Sequence, residues 1–341
     1  MAVKTNLKAL SGDQVSRFIE EAGLPRYRAD QLLHWIYRKH ASRVAAITEY
    51  SKDLRVKLEG LAYISDLAVV KRLKSRDSTE KFLFALEDGQ CIESVLIPDD
   101  DRLTLCVSSQ VGCAMGCRFC LTGKIGFVRN LEAHEIVDQI IAVCRIIGQQ
   151  KRITNIVLMG MGEPLSNFDH VVEALRRIVT LLGISRRKIT LSTAGIVPQI
   201  PLLAEKAPGV NLAISLNATT DTSRSAIMPI NKRYPLRSLL DACRNFPLGT
   251  GRRITIEYVL IRGVNDSPED AVRMVNILRG LRCKVNLIPL NPHPESGLKR
   301  PPDDKIAVFQ KILIRGNLTA LIRESKGGDI LAACGQLRGI G

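Results

Sequence analysis

Cys113, Cys117 and Cys120 stand in the run Val111-Gly112-Cys113-Ala114-Met115-Gly116-Cys117-Arg118-Phe119-Cys120. Three thiols this closely spaced, in a loop that follows a strand and is bounded by Gly112 and Gly123, are arranged to bind metal. A tetrahedral zinc would want a fourth ligand, and neither Cys106 nor Cys144 has the paired spacing that such sites use. Three thiolates suit a [4Fe-4S] cube in which one iron has no protein ligand and is open to a small molecule. A second chemical feature is Cys334, near the end of the chain, flanked by Gly327, Gly328, Gly335 and Gly339. Glycine lets such a segment move, and a thiolate is a nucleophile able to take an alkyl group.

These residues need a scaffold, and the pattern after Ser108 supplies one. Strand-like runs over 153–159, 189–192, 210–216, 254–261, 285–290 and 318–322 alternate with helix-like runs over 171–182, 236–246, 271–278 and 306–314. Such alternation implies βαβ units and a parallel sheet, the α/β class, and fits both a closed barrel and an open doubly wound sheet. Chemically loaded residues follow several different strands, which favours a full or partial barrel with the site on one rim. No Gly-x-Gly-x-x-Gly follows the early strands, against a dinucleotide fold. Upstream, 82–86, 92–97 and 103–107 read as short strands joined by turns. The basic run Lys71-Arg72-Leu73-Lys74-Ser75-Arg76 suits either a phosphate clamp or a charged edge strand. Two helices joined through Gly23-Leu24-Pro25 open the chain, with apolar positions Val15, Phe18, Ile19, Ala22 and Ala29, Leu32, Leu33, Ile36. Trp35, the only tryptophan, belongs either to a small helical core or to a nucleic-acid platform.

The 341 residues carry 49 basic and 34 acidic side chains, a net charge of +15 that favours a polyanionic partner, nucleic acid first. No stretch is long and apolar enough to span a membrane, and the N-terminal residues lack the apolar core of a secretory signal. The nine cysteines are therefore expected to be reduced, in the cytoplasm, rather than to form a disulfide scaffold.

The cysteine run has the Cys-x-x-x-Cys-x-x-Cys form of the radical S-adenosylmethionine superfamily. Together with Gly160-Met161-Gly162-Glu163-Pro164, Ser192-Thr193, Asn286-Leu287-Ile288-Pro289-Leu290-Asn291-Pro292 and Ala333-Cys334-Gly335-Gln336-Leu337, the chain resembles the RlmN/Cfr family of RNA adenine methyltransferases from about Gly23 onward. The resemblance implies an α/β fold with a partial (β/α)6-type barrel over 103–341. It also implies a small helical RNA-binding accessory domain over 1–65 and a β-hairpin linker over 66–102. Implied cofactors are a [4Fe-4S] cluster held by Cys113, Cys117 and Cys120, and S-adenosyl-L-methionine, two per turnover. Gly162, Glu163, Ser192, Ser215, Leu216, Asn217 and Asn291 are the implied cofactor-binding positions. Most of these residue types fit such a role, since glycine allows close approach, Glu163 can accept from a cationic amino group, and serine and asparagine can satisfy a nucleoside. Asn217 stands where some relatives carry histidine, which leaves it hydrogen bonding rather than proton transfer.

C2 of adenine lies between two ring nitrogens and is too electron-poor to attack a sulfonium methyl, so a radical route is required. In the family, Cys334 takes one methyl group, loses a hydrogen atom to a radical derived from the second cofactor molecule, and joins C2. Cys106 is the implied resolving thiol and Glu93 the candidate proton acceptor, although on residue type alone both read as strand positions. Cys91, Cys144, Cys243 and Cys283 read as packing, and His34, His134, His170 and His293 form no convincing metal set. Implied partners are 23S rRNA, certain transfer RNAs and a flavodoxin-type electron donor, with a monomer expected. Lys71, Arg72, Lys74, Arg186, Arg187, Lys188, Lys232 and Arg233 are candidate phosphate contacts. The related adenine-C8 methyltransferase and, from another class, a non-catalytic zinc-bearing RNA-binding factor are the alternatives. The latter leaves Cys334 and Glu163 without a use.

Overall fold

A computed structural model describes residues 4–148, 150–293 and 295–339. Ten strands form its main sheet: β1 (Ala68–Lys74), β2 (Glu80–Ala85), β3 (Cys91–Asp99), β4 (Arg102–Cys106), β5 (Asn155–Leu158), β6 (Ile189–Thr193), β7 (Asn211–Ser215), β8 (Ile254–Leu260), β9 (Cys283–Pro289) and β10 (Ala320–Ile322). The order of strands across the sheet is the order along the chain. β1 to β4 form an antiparallel meander, and β4 to β10 run parallel.

That order resolves the two topologies the alternation allowed. A doubly wound sheet reverses direction at a switch point. Here every crossover steps to the next strand on the same side, and right-handed crossovers repeated in one direction roll a sheet toward a barrel. It stays partial, because β10 pairs only with β9 and β4 is already paired with β3. The crossovers carry α4 (Ala133–Ile147), α5 (Phe168–Thr180), α6 (Gln199–Lys206), α7 (Asp221–Ile227), α8 (Leu236–Arg244), α9 (Pro268–Ile277) and α10 (Asp303–Arg315), following α1 (Gly12–Glu21), α2 (Tyr27–Tyr37) and α3 (Lys52–Leu61) of the N-terminal unit. The parallel strands are buried on both faces, as their Val, Ile and Leu content demands; Ile156, Leu191, Ile214, Ile256 and Leu287 are at most 1% exposed.

The hairpin region does not stand apart from the barrel: β3 pairs with β4 from Val95↔Cys106 to Asp99↔Arg102, so β1 to β3 extend the barrel sheet. β1 is its outer edge, and Lys71, Arg72 and Lys74 are exposed along it, a charged edge that resists further strand pairing. Sequence periodicity missed α3, α6 and α7, which bury only one or two apolar side chains each, too few for a 3.6-residue repeat to stand out.

The N-terminal helices pack Val15, Ile19, Ala29, Leu32 and Ile36 into the same apolar core as the barrel, and Trp35 lies half-buried against it. A buried polar contact fixes them to α4. Lys8 Nζ lies 2.8 Å from Asp138 Oδ1, both side chains at most 3% exposed, and Ser65 Oγ donates to the other carboxylate oxygen at 3.1 Å. Arg177 of α5 donates to the Lys8 carbonyl at 2.6 Å. Removing one member leaves a buried uncompensated charge, so Lys8→Ala is expected to lower stability by about 3–5 kcal/mol in denaturant titrations. A loss below about 1 kcal/mol would show that the pair does not hold the two units together.

Candidate active site

The rim at the carboxyl ends of the parallel strands gathers most of the chemically loaded residues. β4 leads into a two-stranded ribbon, Gln110–Gly112 against Phe127–Asn130, which delivers Cys113. Gly112 has φ +74°, and a Cβ there would sit 1.9 Å from the Gly126 carbonyl oxygen, so the ribbon tolerates only glycine at that place. Arg118 N–H bonds the Ile227 carbonyl at 3.0 Å and pins the middle of the cysteine loop to the end of α7. Burial pushes the Cys113 thiol up to about 12 and holds the Cys117 thiol well above its ordinary value, so these groups give up their protons only to a metal charge.

Cys113, Cys117 and Cys120 border one cavity of about 160 Å³, together with Gly160, Gly162, Glu163, Ser192, Ser215, Asn217 and Asn291. Among the described residues, no three His, Cys, Asp or Glu side chains gather around the position of a single ion. Three thiols bordering one cavity suit a cluster whose corners are separate irons. The fit to an adenosyl ligand comes from acceptors and hydroxyls bordering that same space.

The structure changes the reason for several of these residues. A Cβ at Gly160 would lie 2.7 Å from the Val107 carbonyl, and one at Gly162 2.6 Å from Gln110 Cβ. Both glycines are therefore required by the loop behind them, whatever approaches from the cavity. Glu163 is 3% exposed and accepts from Leu165 N–H at 3.0 Å and Ala194 N–H at 2.6 Å, tying the loops after β5 and β6 together. Burial raises its pKa above the usual carboxylate range, which a cationic ligand would reverse. Asn217, in a left-handed conformation at φ +56°, accepts from Val259 N–H at 2.8 Å and places Nδ2 3.2 Å from Met228 Sδ, so its amide supports the loop it sits in. Leu216 does not reach the cavity: its side chain is fully buried in the core, and its carbonyl accepts from Arg224 Nε at 2.9 Å.

A second, larger cavity of about 600 Å³ adjoins the first, bordered by Cys106, Asn286, Asn291, Arg323, Lys326 and Cys334. Cys334 lines both. It is exposed at the tip of a turn. Its carbonyl accepts from Asn291 Nδ2 at 3.3 Å, and Leu121 N–H, beside Cys120, bonds the Gly335 carbonyl at 2.7 Å. Cys106 is buried at the end of β4, and burial, with Cys334 adding to it, pushes its thiol up to about 12. The Arg323 guanidinium is held more firmly protonated, first by Cys334 and then by Glu257 and Cys106, and so marks where these groups meet.

Glu93 differs from its expected role. Its carboxylate borders neither cavity. Lys81 Nζ lies 3.0 Å from one of its oxygens, and the other accepts from Arg338 N–H at 2.7 Å, so with the C-terminal segment seated Glu93 is an anchor for that segment.

The same holds for the meander as a whole. Gly327 N–H bonds Asp77 Oδ2 at 2.7 Å, Ser75 Oγ donates to Asp329 at 2.6 Å, Lys81 Nζ reaches the Leu331 carbonyl at 3.1 Å, and Lys326 Nζ reaches Asp99 at 3.1 Å. The glycine-flanked segment that the sequence marks as mobile is thus docked. Burial acts to raise the Asp77 pKa, but hydrogen bonds from Gly327, Thr79 and Ser75 outweigh it and hold the carboxyl at about 2. A depressed carboxyl favours docking above its unfolded value, near 4, and the contribution is lost only as pH falls toward 2. Asp77→Ala at neutral pH is expected to speed alkylation of Cys334 severalfold; an unchanged rate would mean that the other anchors alone set its position.

The positions that sequence reading missed are Glu257 of β8, Arg323 just after β10 and Arg224 of α7. Arg224 is fully buried and donates to the carbonyls of Leu216, Ala194 and Ser215 at 2.9, 2.7 and 3.1 Å, binding the loops after β6 and β7. A buried arginine among carbonyls has no local signature. The histidines and the remaining cysteines border neither cavity: His34 and His170 are exposed, His134 meets Glu132 at 3.1 Å, His293 is buried, and Cys243 and Cys283 are core residues. The candidate phosphate contacts are all exposed, Arg72 also pairing with Glu80 at 2.6 Å.

Comparison with known proteins agrees with this geometry. Residues 107–275 match the radical SAM superfamily and residues 5–64 match the ribosomal RNA large subunit methyltransferase N-terminal domain. The chain is 50% identical to the dual-specificity RNA methyltransferase RlmN of Geotalea uraniireducens, covering 98% of this chain and 97% of that one. It is also 50% identical to the protein of the same name from Geobacter sulfurreducens, over 99% and 93%. A radical SAM methyltransferase from Sphaerobacter thermophilus superposes with a TM-score of 0.94 at 44% identity, over 98% of this chain and all of that one.

Proposed function

Because the chain belongs to the dual-specificity RNA methyltransferase RlmN family of radical SAM enzymes, we propose that it methylates C2 of adenine in 23S rRNA and in certain transfer RNAs, with Cys334 as the carrier of the methyl carbon. The observation that carries this reading is the placement of Cys334 on the wall between two cavities, one bordered by the three cluster cysteines and the other by Cys106.

In this scheme Cys113, Cys117 and Cys120 hold the [4Fe-4S] cluster. When bound, the cluster and S-adenosylmethionine supply methyl groups and one-electron chemistry that can activate a methyl carbon. The chain's own residues do the rest. Glu163 receives the cationic amino end of the cofactor, while Ser192, Ser215 and Asn291 meet its nucleoside. Cys334 takes up the methyl group and presents it to the larger cavity, where an adenine withdrawn from its stack is received. Once the carbon is joined to C2, a proton and one electron must leave: the proton goes to a base, and the electron is taken up by the one-electron chemistry that the bound cluster supplies. Cys106 then attacks the Cys334 sulfur, the carbon–sulfur bond breaks as the disulfide forms, and the carbon leaves with the bonding pair and takes a proton. Glu93 can serve as the proton acceptor only after Arg338 has moved off its carboxylate.

Phosphate contacts supply most of the RNA affinity, which falls as salt rises. The hollow of about 240 Å³ flanked by Arg72, Lys74 and Lys151 at the β1 edge is one place for them. We also propose residues 1–65 as the RNA-binding accessory domain, 66–102 as the hairpin linker and 103–341 as the catalytic barrel of a cytoplasmic monomer supplied by a flavodoxin-type donor.

The test is product identity. Reconstituted under anaerobic conditions and given reductant, methyl-labelled S-adenosylmethionine and unmodified large-subunit rRNA, the enzyme is expected to yield labelled 2-methyladenosine. 8-Methyladenosine would keep the carrier scheme and reverse the regiochemistry. No methylated base despite cofactor cleavage would overturn the RNA substrate.

A further inference from the structure

Glu257 is a carboxylate for which neither the fold nor the scheme above has a use. It lies on β8, is 5% exposed and borders the 160 Å³ cavity. One carboxylate oxygen accepts from Asn286 Nδ2 at 3.0 Å; the other is buried and has no hydrogen-bond partner among the described residues. An idle oxygen on a buried carboxylate is costly, and the cost is recovered only when a donor arrives.

The register shows which donor. Ser215 of β7, Glu257 of β8 and Asn286 of β9 are consecutive partners across the sheet, so they stand at one level of the barrel. Ser192 of β6 borders the same cavity. A second ammonium is not called for, since Arg323 already places positive charge beside Glu257. Glu163 instead is the carboxylate that faces Cys113 and Cys117, where the amino end of the cofactor belongs. What a carboxylate with one free acceptor, with the Ser215 hydroxyl level with it and Ser192 on the wall of the same cavity, matches is a neutral polyhydroxyl group, as acidic residues do for the ribose of nucleotides.

We propose that Glu257 is a further cofactor-binding residue, accepting a hydrogen bond from a ribose hydroxyl of the adenosyl ligand through its free oxygen. The assignment rests on the adenosyl-binding reading of this cavity. It also gives the Asn286 amide a purpose: by holding one oxygen it turns the other inward.

The experiment is calorimetric binding of 5′-methylthioadenosine and of its 2′-deoxy and 3′-deoxy analogues to the cluster-reconstituted protein. Wild type is expected to lose about 10-fold or more in affinity for one of the deoxy analogues. Glu257→Gln is expected to bind the parent ligand correspondingly less tightly and to discriminate no further between parent and analogue. Glu257→Asp, which keeps the charge and withdraws the oxygen, should lose the same discrimination and serves if the glutamine variant does not fold. Full discrimination surviving in either folded variant, or none in wild type, overturns the proposal while leaving the cofactor site intact. Failure of wild type to bind 5′-methylthioadenosine at all overturns the adenosyl reading and this assignment with it.

Discussion

Cys334→Ala is expected to abolish RNA methylation, by on the order of 10⁴-fold or more, while RNA binding and reductive cleavage of S-adenosylmethionine continue. The reason is positional. Cys334 lines both cavities, as among the thiols only the cluster ligand Cys120 also does, and no other cysteine lies in the docked C-terminal segment. Its side chain is exposed, so its removal changes stability by no more than about 0.5 kcal/mol and a loss of activity is not a loss of fold. Labelled methyl incorporation into RNA, measured beside 5′-deoxyadenosine formation on the same sample, separates the two effects. Methylated RNA from the alanine variant at even a tenth of the wild-type rate would mean direct transfer and would overturn the carrier role.

Cys106→Ala is expected to fail later in the reaction and to leave a visible product. With Cys334 intact, the carbon can still be joined to adenine, but nothing remains to break the carbon–sulfur bond. The variant should accumulate a covalent protein–RNA adduct, approaching one per enzyme, that survives denaturing electrophoresis and is absent from wild type. Turnover to free methylated RNA should fall by about 10³-fold or more. The raised Cys106 pKa explains why the step waits. At about 12 the thiol is protonated at neutral pH, and only a thiolate attacks sulfur efficiently. Adduct resolution in wild type should therefore quicken as pH rises across the neutral range, with Arg323 nearby to favour the thiolate. Free methylated RNA from Cys106→Ala at the wild-type rate would remove Cys106 from the mechanism.

The cysteine loop is legible in the sequence because its information is local. Three ligands within eight residues must lie near one another in any fold, so spacing alone names the chemistry. The barrel is half legible: alternation of apolar runs specifies parallel strands, but whether the sheet rolls or reverses depends on which strands become neighbours. Ser192, Ser215 and Asn291 come from the family resemblance and do border the cavity. Leu216, from the same stretch, points the other way, because consecutive residues leaving a strand face opposite sides. Glu93 is a candidate proton acceptor only by the family resemblance, and its anchoring contacts were not legible, since its partners Lys81 and Arg338 lie 12 and 245 residues away and no local pattern connects them.

The sequence by itself determined the class of chemistry, through residue type and short-range spacing, and the preference for a polyanionic partner, nucleic acid first, through a charge of +15 that no folding can alter. Tertiary structure decided everything that depends on which distant segments meet. It brought Cys106, Arg323 and Cys334 to one cavity, set Glu257 level with Ser215 and Asn286 by strand register, and seated the C-terminal segment on a meander whose own sequence reads only as hairpins. The physical reason is range: a ligand triplet within one loop is fixed by a few backbone dihedrals, whereas contacts between strands far apart in the chain are fixed by the packing of the whole sheet.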